Sequence, residues 1–166
     1  MNNVIKNAAC FVNGTSYIGE AEDLTPPKLT LKMEEYRGGG MDVPVEIDMG
    51  MEKMEASFVL TNFDKKVLSL FGVKPSQNQS LVFKAAGQSV DGTVTSYCYE
   101  MRGVIKEMDS GALKAGEKAV LTCSMAVQYY KLTVGKEVIH EIDAVNMTRV
   151  INGVDQLKEM REALGK

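Results

Sequence analysis

Asp42, Glu46, Asp48 and Glu52 sit at even positions of the segment MDVPVEIDMGME. On an extended strand such positions project to one side. Four carboxylates in a row could hold a cation or form a negative wall. Calcium capture wants oxygen ligands converging from several directions around a tight loop, and a strand supplies them from one direction only. A solvated face is the first reading and a charged pore lining the second. His140 is the single histidine. It lies in the run VIHEI, where alternation predicts the polar side of a strand, exposed or hydrogen-bonded. No second catalytic group accompanies it in the sequence, and no nucleophile-elbow motif is present. Gly38, Gly39 and Gly40 could suggest a phosphate cradle, but that chemistry needs a preceding strand, a following helix N-terminus and usually a Lys-Ser/Thr pair. Here a strand of acidic residues follows. Cys10, Cys98 and Cys123 are odd in number and widely spaced. They read as small hydrophobes rather than zinc ligands, which come in close pairs.

The acids belong to a larger unit. Leu29, Leu31 and Met33 alternate with Lys28, Thr30 and Lys32; Val43, Val45, Ile47, Met49 and Met51 alternate with the acids. Period-two alternation predicts two strands, each with an apolar and a polar face. The apolar side of the second strand is expected to face the subunit core. Between them runs Tyr36-Arg37-Gly38-Gly39-Gly40-Met41, too permissive for a tight hairpin turn. Three successive glycines cost backbone entropy on ordering, so a flexible connector is expected at about residues 34–42. Met33, Met41, Met49, Met51 and Met54 gather around it, either as core filling or as an adaptable contact with another subunit.

Elsewhere strands dominate. Ala8–Val12 and Ser16–Glu20 flank Asn13-Gly14, a tight-turn signal. Residues 55–61, 81–86, 94–101, 103–108, 119–133 and 137–142 read as strands. Residues 23–27 read as a turn, 75–80 as a polar loop and 109–116 as a glycine-containing loop. Phe63, Val67, Leu70 and Phe71 have helical spacing between Asn62 as cap and Gly72 as stop. Val154, Leu157, Met160 and Leu164 form a stripe on a second short helix, which packs either on its own sheet or on a neighbour. The expected fold is mainly β: an antiparallel sandwich or partly closed barrel with two short peripheral helices.

A chain of 166 residues suits one domain spanning 1–166. Its formal net charge is −3, which argues against a general nucleic-acid binder with a basic stripe and against a basic membrane-surface helix. Met1-Asn2-Asn3 has no basic start followed by an apolar run. No stretch approaches the roughly 20 apolar residues of a membrane span, so a soluble protein made in a cytosol is expected.

Three blocks together resemble one family. The first is Pro27-Lys28-Leu29-Thr30 with Glu35-Tyr36-Arg37-Gly38-Gly39-Gly40-Met41 and the acidic strand. The second runs Met101-Arg102-Gly103, then Lys106 to Gly111, then Lys114 to Glu117. The third is Glu141-Ile142-Asp143, Asn146-Met147 and Asn152-Gly153-Val154-Asp155. In this order, over residues 16–50 and 100–165, they resemble the major tail tube protein of contractile-tailed bacteriophages; tubes of phage-tail-like bacteriocins are similar.

The resemblance implies a structural protein, not an enzyme, that needs no cofactor. It implies hexameric rings stacked into a rigid tube, with sheets of adjacent subunits joined around a lumen. Partners would be the tail sheath, baseplate and tail terminator proteins, with DNA passing through the lumen without specific binding. The site would be the virion tail, after assembly in the host cytoplasm. Tyr36, Arg37, Gly38, Gly39, Gly40 and Met41 become the candidate inter-ring connector, and Asp42, Glu46, Asp48 and Glu52 a candidate lumen lining. The alternatives are the tube of a bacteriocin or contractile secretion system, and a monomeric ligand-binding β-barrel.

Overall fold

The computed structural model describes residues 4–74 and 79–166. Residues 75–78 of the expected polar loop, and the first three residues, lie outside the described residues. Asn13 and Gly14 both take positive φ, at 49° and 83°, and turn β1 (Val4–Val12) into β2 (Thr15–Ser16). The chain continues through β3 (Ala21–Thr25), β4 (Leu31–Tyr36), β5 (Val45–Met51) and β6 (Met54–Leu60). After the one-turn helix α1 (Lys65–Leu68) come β7 (Gln79–Gln88), β8 (Val94–Asp109), β9 (Leu121–Val134) and β10 (Glu137–Asp143). The chain closes with β11 (Thr148–Ile151), β12 (Val154–Asp155) and α2 (Lys158–Ala163).

All strand pairings in the sheets are antiparallel. A ten-stranded sheet runs β12-β11-β10-β9-β8-β7-β1-β2, and β6 branches from β9 carrying β3 on its far side. The long strand β9 makes the branch: Leu121–Val127 pairs with β6, and Tyr129–Val134 pairs with β10. The sheet from β3 through β6, β9, β8 and β7 to β1 curls into the partly closed barrel expected from the pattern. Its interior holds Phe58, Leu60, Leu81, Phe83, Met101, Ile105, Leu121 and Met125, each at most 1% exposed, with Phe58 and Phe83 meeting edge to face. At about 25 cal/mol per Å², this burial is the main stabilising term.

Two expected strands merge. β8 runs unbroken through Gly103, where a Cβ would stand 1.9 Å from the Ala126 carbonyl oxygen, so glycine is what lets β8 and β9 approach there. β3, β11 and β12 are strands that alternation did not reveal, because they are short and polar at several positions.

Both helices are shorter than their apolar spacing predicted. The α1 cap is Asp64 rather than Asn62. Its carboxylate accepts from the Lys66 N–H at 3.0 Å and from the Tyr17 hydroxyl at 2.6 Å. At the other end, Asn152 and Gly153 have φ of 51° and 81°, turning Val154 back onto β11 as a strand instead of starting a helix. Most of the stripe therefore does not pack on the subunit's own sheet: Val154, Met160 and Leu164 are exposed and α2 has no buried residue, while Leu157, just before α2, is half-buried.

Candidate assembly surface

Among the described residues, strands β4 and β5 pair only with each other and form a separate two-stranded arm. Neither strand buries a residue. The register explains why. Tyr36 lies opposite Val45, Glu34 opposite Ile47, and Met33 opposite Asp48. Residues directly opposite share a face. The apolar side of β4 therefore falls on the acidic side of β5, and the apolar side of β5 falls beside Glu34. Each face of the arm mixes apolar and charged groups, and neither can serve as a clean core face.

A bulge adds a second break in the pattern. The register shifts between Leu31 and Met33, so that Leu31 meets Met51, and Gly50 takes φ 98° within the shifted stretch. An extra residue reverses the facing of everything beyond it. Glu46 and Asp48 share a face; Glu52 lies past the bulge and outside β5, and Asp42 lies before β5 in the bend that follows the connector. The four acids do not form one row.

The apolar side of β5 does not face the core. Val43 is 68% exposed and Met49 53%, with Val45 and Ile47 close behind. Alternation correctly marked a strand, but the partner sheet that would cover it is missing from this subunit. Only the arm's root, Leu29 and Met51, packs against the core.

The connector is a compact turn. The Met41 N–H donates to the Gly38 carbonyl at 3.2 Å, and the Gly38 N–H points to the Met41 sulfur at 3.1 Å. The Arg37 guanidinium donates to the Asp42 carbonyl. Gly40 has φ 83°, a conformation that disfavours side chains. Tyr36 is 55% exposed.

Asp48 is engaged. The Arg149 Nη2 donates to its Oδ2 at 2.9 Å, and the Gly50 N–H donates to its Oδ1 at 2.7 Å. The Gly50 N–H first and Arg149 second hold this carboxyl below the usual range.

His140 sits elsewhere than expected. It lies opposite Leu132 and Ile151, on the side shared with buried Ile142, and its ring is 6.4 Å from that of Tyr130. Its Nδ1 is buried without a hydrogen-bond partner. No register shift separates His140 from Ile142, so alternation itself puts the two on one side; the expectation of a polar side overlooked that Val138 and Ile142 share the parity of His140. Cys10 and Cys123 are fully buried and free; burial pushes their thiols up to about 12 and about 11. Cys98 is half-buried. Among the described residues, no group of three or more His, Cys, Asp and Glu could hold a metal ion. No helix among them is long and apolar enough to cross a membrane.

A strand-rich body carrying an uncovered arm fits a subunit that finishes its packing on another chain. The sequence matches the family described as phage tail tube protein FII over residues 2–165. The chain belongs to this family. It is 36% identical to the tail tube protein of Escherichia phage P2 over 160 residues, covering 93% of this chain and 92% of that one. It is 33% identical to the major tail tube protein of Serratia phage KSP20, covering 82% and 80%. The fold also matches solved assemblies. A chain of the sheath-tube complex of an extracellular contractile injection system, in its extended state, aligns with TM-score 0.59 at 10% identity, over 76% of this chain and 88% of that one. A chain of the anti-feeding prophage baseplate aligns at 0.51 and 14% identity, over 76% and 90%. At these identities the likeness is one of fold.

Three glycines between alternating strands marked the place of this turn but not its form: the expectation was a segment too permissive for a tight turn, and the structure has a compact, hydrogen-bonded one. Arg149 was not legible: nothing in TRVI marks an arginine that reaches a strand 101 positions away.

Proposed function

We propose that this chain, acting as one unit over its whole length, polymerises as stacked hexameric rings into the inner tube of a contractile phage tail, a conduit for DNA. It has a structural rather than an enzymatic role, needs no cofactor, and resides in the virion tail after assembly in the host cytoplasm. Sheath, baseplate and tail terminator proteins are its partners. The observation that carries this reading is the arm, which leaves Tyr36, Val43, Val45, Ile47 and Met49 uncovered in a chain of the tail tube family. Exposed apolar clusters rimmed by polar groups mark protein contacts. Head-to-tail contacts close into rings, and a second such contact along the axis builds a filament. The connector, Tyr36 to Met41, is the proposed contact between rings. Bacteriocin and contractile secretion tubes would use the same contacts.

The lining of the channel has two candidates. The acid set contributes Asp42 and Glu46, since Asp48 is held by Arg149 and Glu52 lies past the bulge. The face of the main sheet opposite the core offers another: Glu100 lies opposite Lys131, which lies opposite Glu141, while neighbouring Met101, Tyr130 and Ile142 point inward. Such a wall carries charges already compensated across strands. The acid set would repel a polyanion and the compensated wall would not hold one, unlike a basic lining. Substituting Asp42 and Glu46 by Lys, and separately Glu100 and Glu141, tests them. The set lining the channel slows DNA ejection, with relief by added salt; the other leaves ejection unchanged.

Electron microscopy of the purified protein tests the main reading. Long hollow rods support it, and a monodisperse monomer at high concentration refutes it.

A further inference from the structure

Among the described residues the arm meets the body through its root and one side-chain ion pair, and that pair is built from the far end of the chain. β11 presents Arg149, 16% exposed at its side chain, to Asp48 at 2.9 Å. β11 is itself braced. Its Arg149 carbonyl accepts from the Gln156 N–H at 2.8 Å. The α2 residue Arg161 donates to the Met147 carbonyl at 2.9 Å, just before β11, and pairs with Asp155 of β12. A continuous set of polar contacts therefore runs from α2 through β12 and β11 to the arm. Asp48 receives it at the bulge, where its other oxygen accepts the Gly50 N–H. One carboxylate both shapes the bend in the arm and takes the body's cation.

Root packing alone leaves an angular freedom. Leu29 and Met51 touch the core, and the Glu52 N–H donates to the Thr30 carbonyl at 2.9 Å. Beyond the root both faces of the arm are exposed. A two-stranded ribbon without a covering layer has little independent stability, and its direction is set by whatever grips it past the root. A binding element that samples many orientations binds in proportion to the fraction that is competent.

We infer that Arg149 is a positioning residue for assembly: through Asp48, the C-terminal β11–β12–α2 unit fixes the angle at which the arm leaves the body and so presents it to the next subunit. The inference rests on the tube reading for its consequence and on the geometry alone for the brace. Arg149 touches no neighbour in this role; it acts through Asp48.

The test uses three full-length variants. Arg149→Gln removes the cation. Asp48→Asn removes the charge while its amide oxygen can still accept from Gly50. Arg149→Lys restores a cation. Two readouts are taken: the critical concentration for polymerisation, by sedimentation, and NMR backbone order parameters of Val45–Asp48 in unassembled subunits. Arg149→Gln and Asp48→Asn should each lower the order parameters and raise the critical concentration at least about twofold, as expected of a partly exposed pair. Neither should lower the melting temperature of the barrel, and Arg149→Lys should recover most of the loss. Unchanged order parameters in both variants would overturn the brace. Reduced order with an unchanged or lowered critical concentration would overturn the assembly role. If Arg149→Gln fails to fold, Asp48→Asn decides alone. If the wild-type protein forms no rods, the tube reading falls, and the order parameters still decide whether Arg149 holds the arm.

Discussion

β5 and β6 are neighbours in the chain, separated only by Glu52 and Lys53, and both alternate apolar with polar residues. β6 buries Met54, Ala56, Phe58 and Leu60 on one side. β5 buries nothing. Alternation says that a strand has an apolar face; it does not say whose surface covers it. For β6 the cover comes from the same chain, through β9 and the barrel interior. For β5 it must come from elsewhere or not at all, and the register of β4 against β5 removes any clean face that an internal layer could use. A fold can thus be read from local pattern while the assembly surface hides in the same pattern.

This contrast predicts that the two strands respond oppositely to substitution. The largest effect is expected at Phe58, which is fully buried against Phe83. Phe58→Ala should cost about 3–5 kcal/mol in urea unfolding of the subunit. A paired Val45→Ser and Ile47→Ser change in the arm should shift the same curve by less than about 0.5 kcal/mol while abolishing or severely weakening polymerisation. An equal loss of subunit stability in both variants would erase the distinction.

Gly103 sharpens the barrel side. Its Cβ position collides with the Ala126 carbonyl, so Gly103→Ala should cost about 1–3 kcal/mol through displaced backbone. The arm glycines offer the counterpart. Gly39 has open space around a Cβ position, and Gly39→Ala should leave the melting temperature of the body unchanged.

The cysteines give a smaller, graded comparison. Cys10→Ser and Cys123→Ser place a hydroxyl in a fully buried site and should each cost about 1–3 kcal/mol. Cys98→Ser, half-buried on the opposite face of β8, should cost less, by the same unfolding measurement. None should abolish rods through loss of a bond or a metal.

The smallest effect concerns pH. The folded-state pKa of Asp48 is depressed, first by the Gly50 N–H and then by Arg149. A depressed carboxylate favours the paired arm above its unfolded value, about 3.9, and that contribution fades as pH falls through the lower folded value. Titration of the Asp48 carboxyl by NMR should show a midpoint below that of a free aspartate, and Arg149→Gln should raise it.

Much of the barrel was legible. The Asn13-Gly14 turn, the alternation in β6 and β7, and the long run of β9 each carried a local signal that the structure reproduces. The misses differ in cause. The cap at Asp64 is a local bond to the Lys66 N–H, so Asp64 was as visible as Asn62; the Tyr17 hydroxyl, 47 positions away, also donates to that carboxylate. The side of His140 follows from its parity with Ile142 and was misread. The separation of the four acids depends on a bulge at Gly50 and on pairing with β4, a cross-strand fact with no period of its own. Three glycines needed no partner to mark where β4 gives way to β5, but the compact turn they form there was not legible. The brace at Arg149 could not be seen without the fold.

The most direct test of the account is electron microscopy of the wild-type protein beside a variant with Gly38, Gly39 and Gly40 all replaced by alanine, both first shown by circular dichroism to be folded. Hollow rods from the wild type, and none or only short stacks from the variant, are the predicted result. Rods of normal length from the variant, or a wild-type protein that stays monomeric, would contradict it.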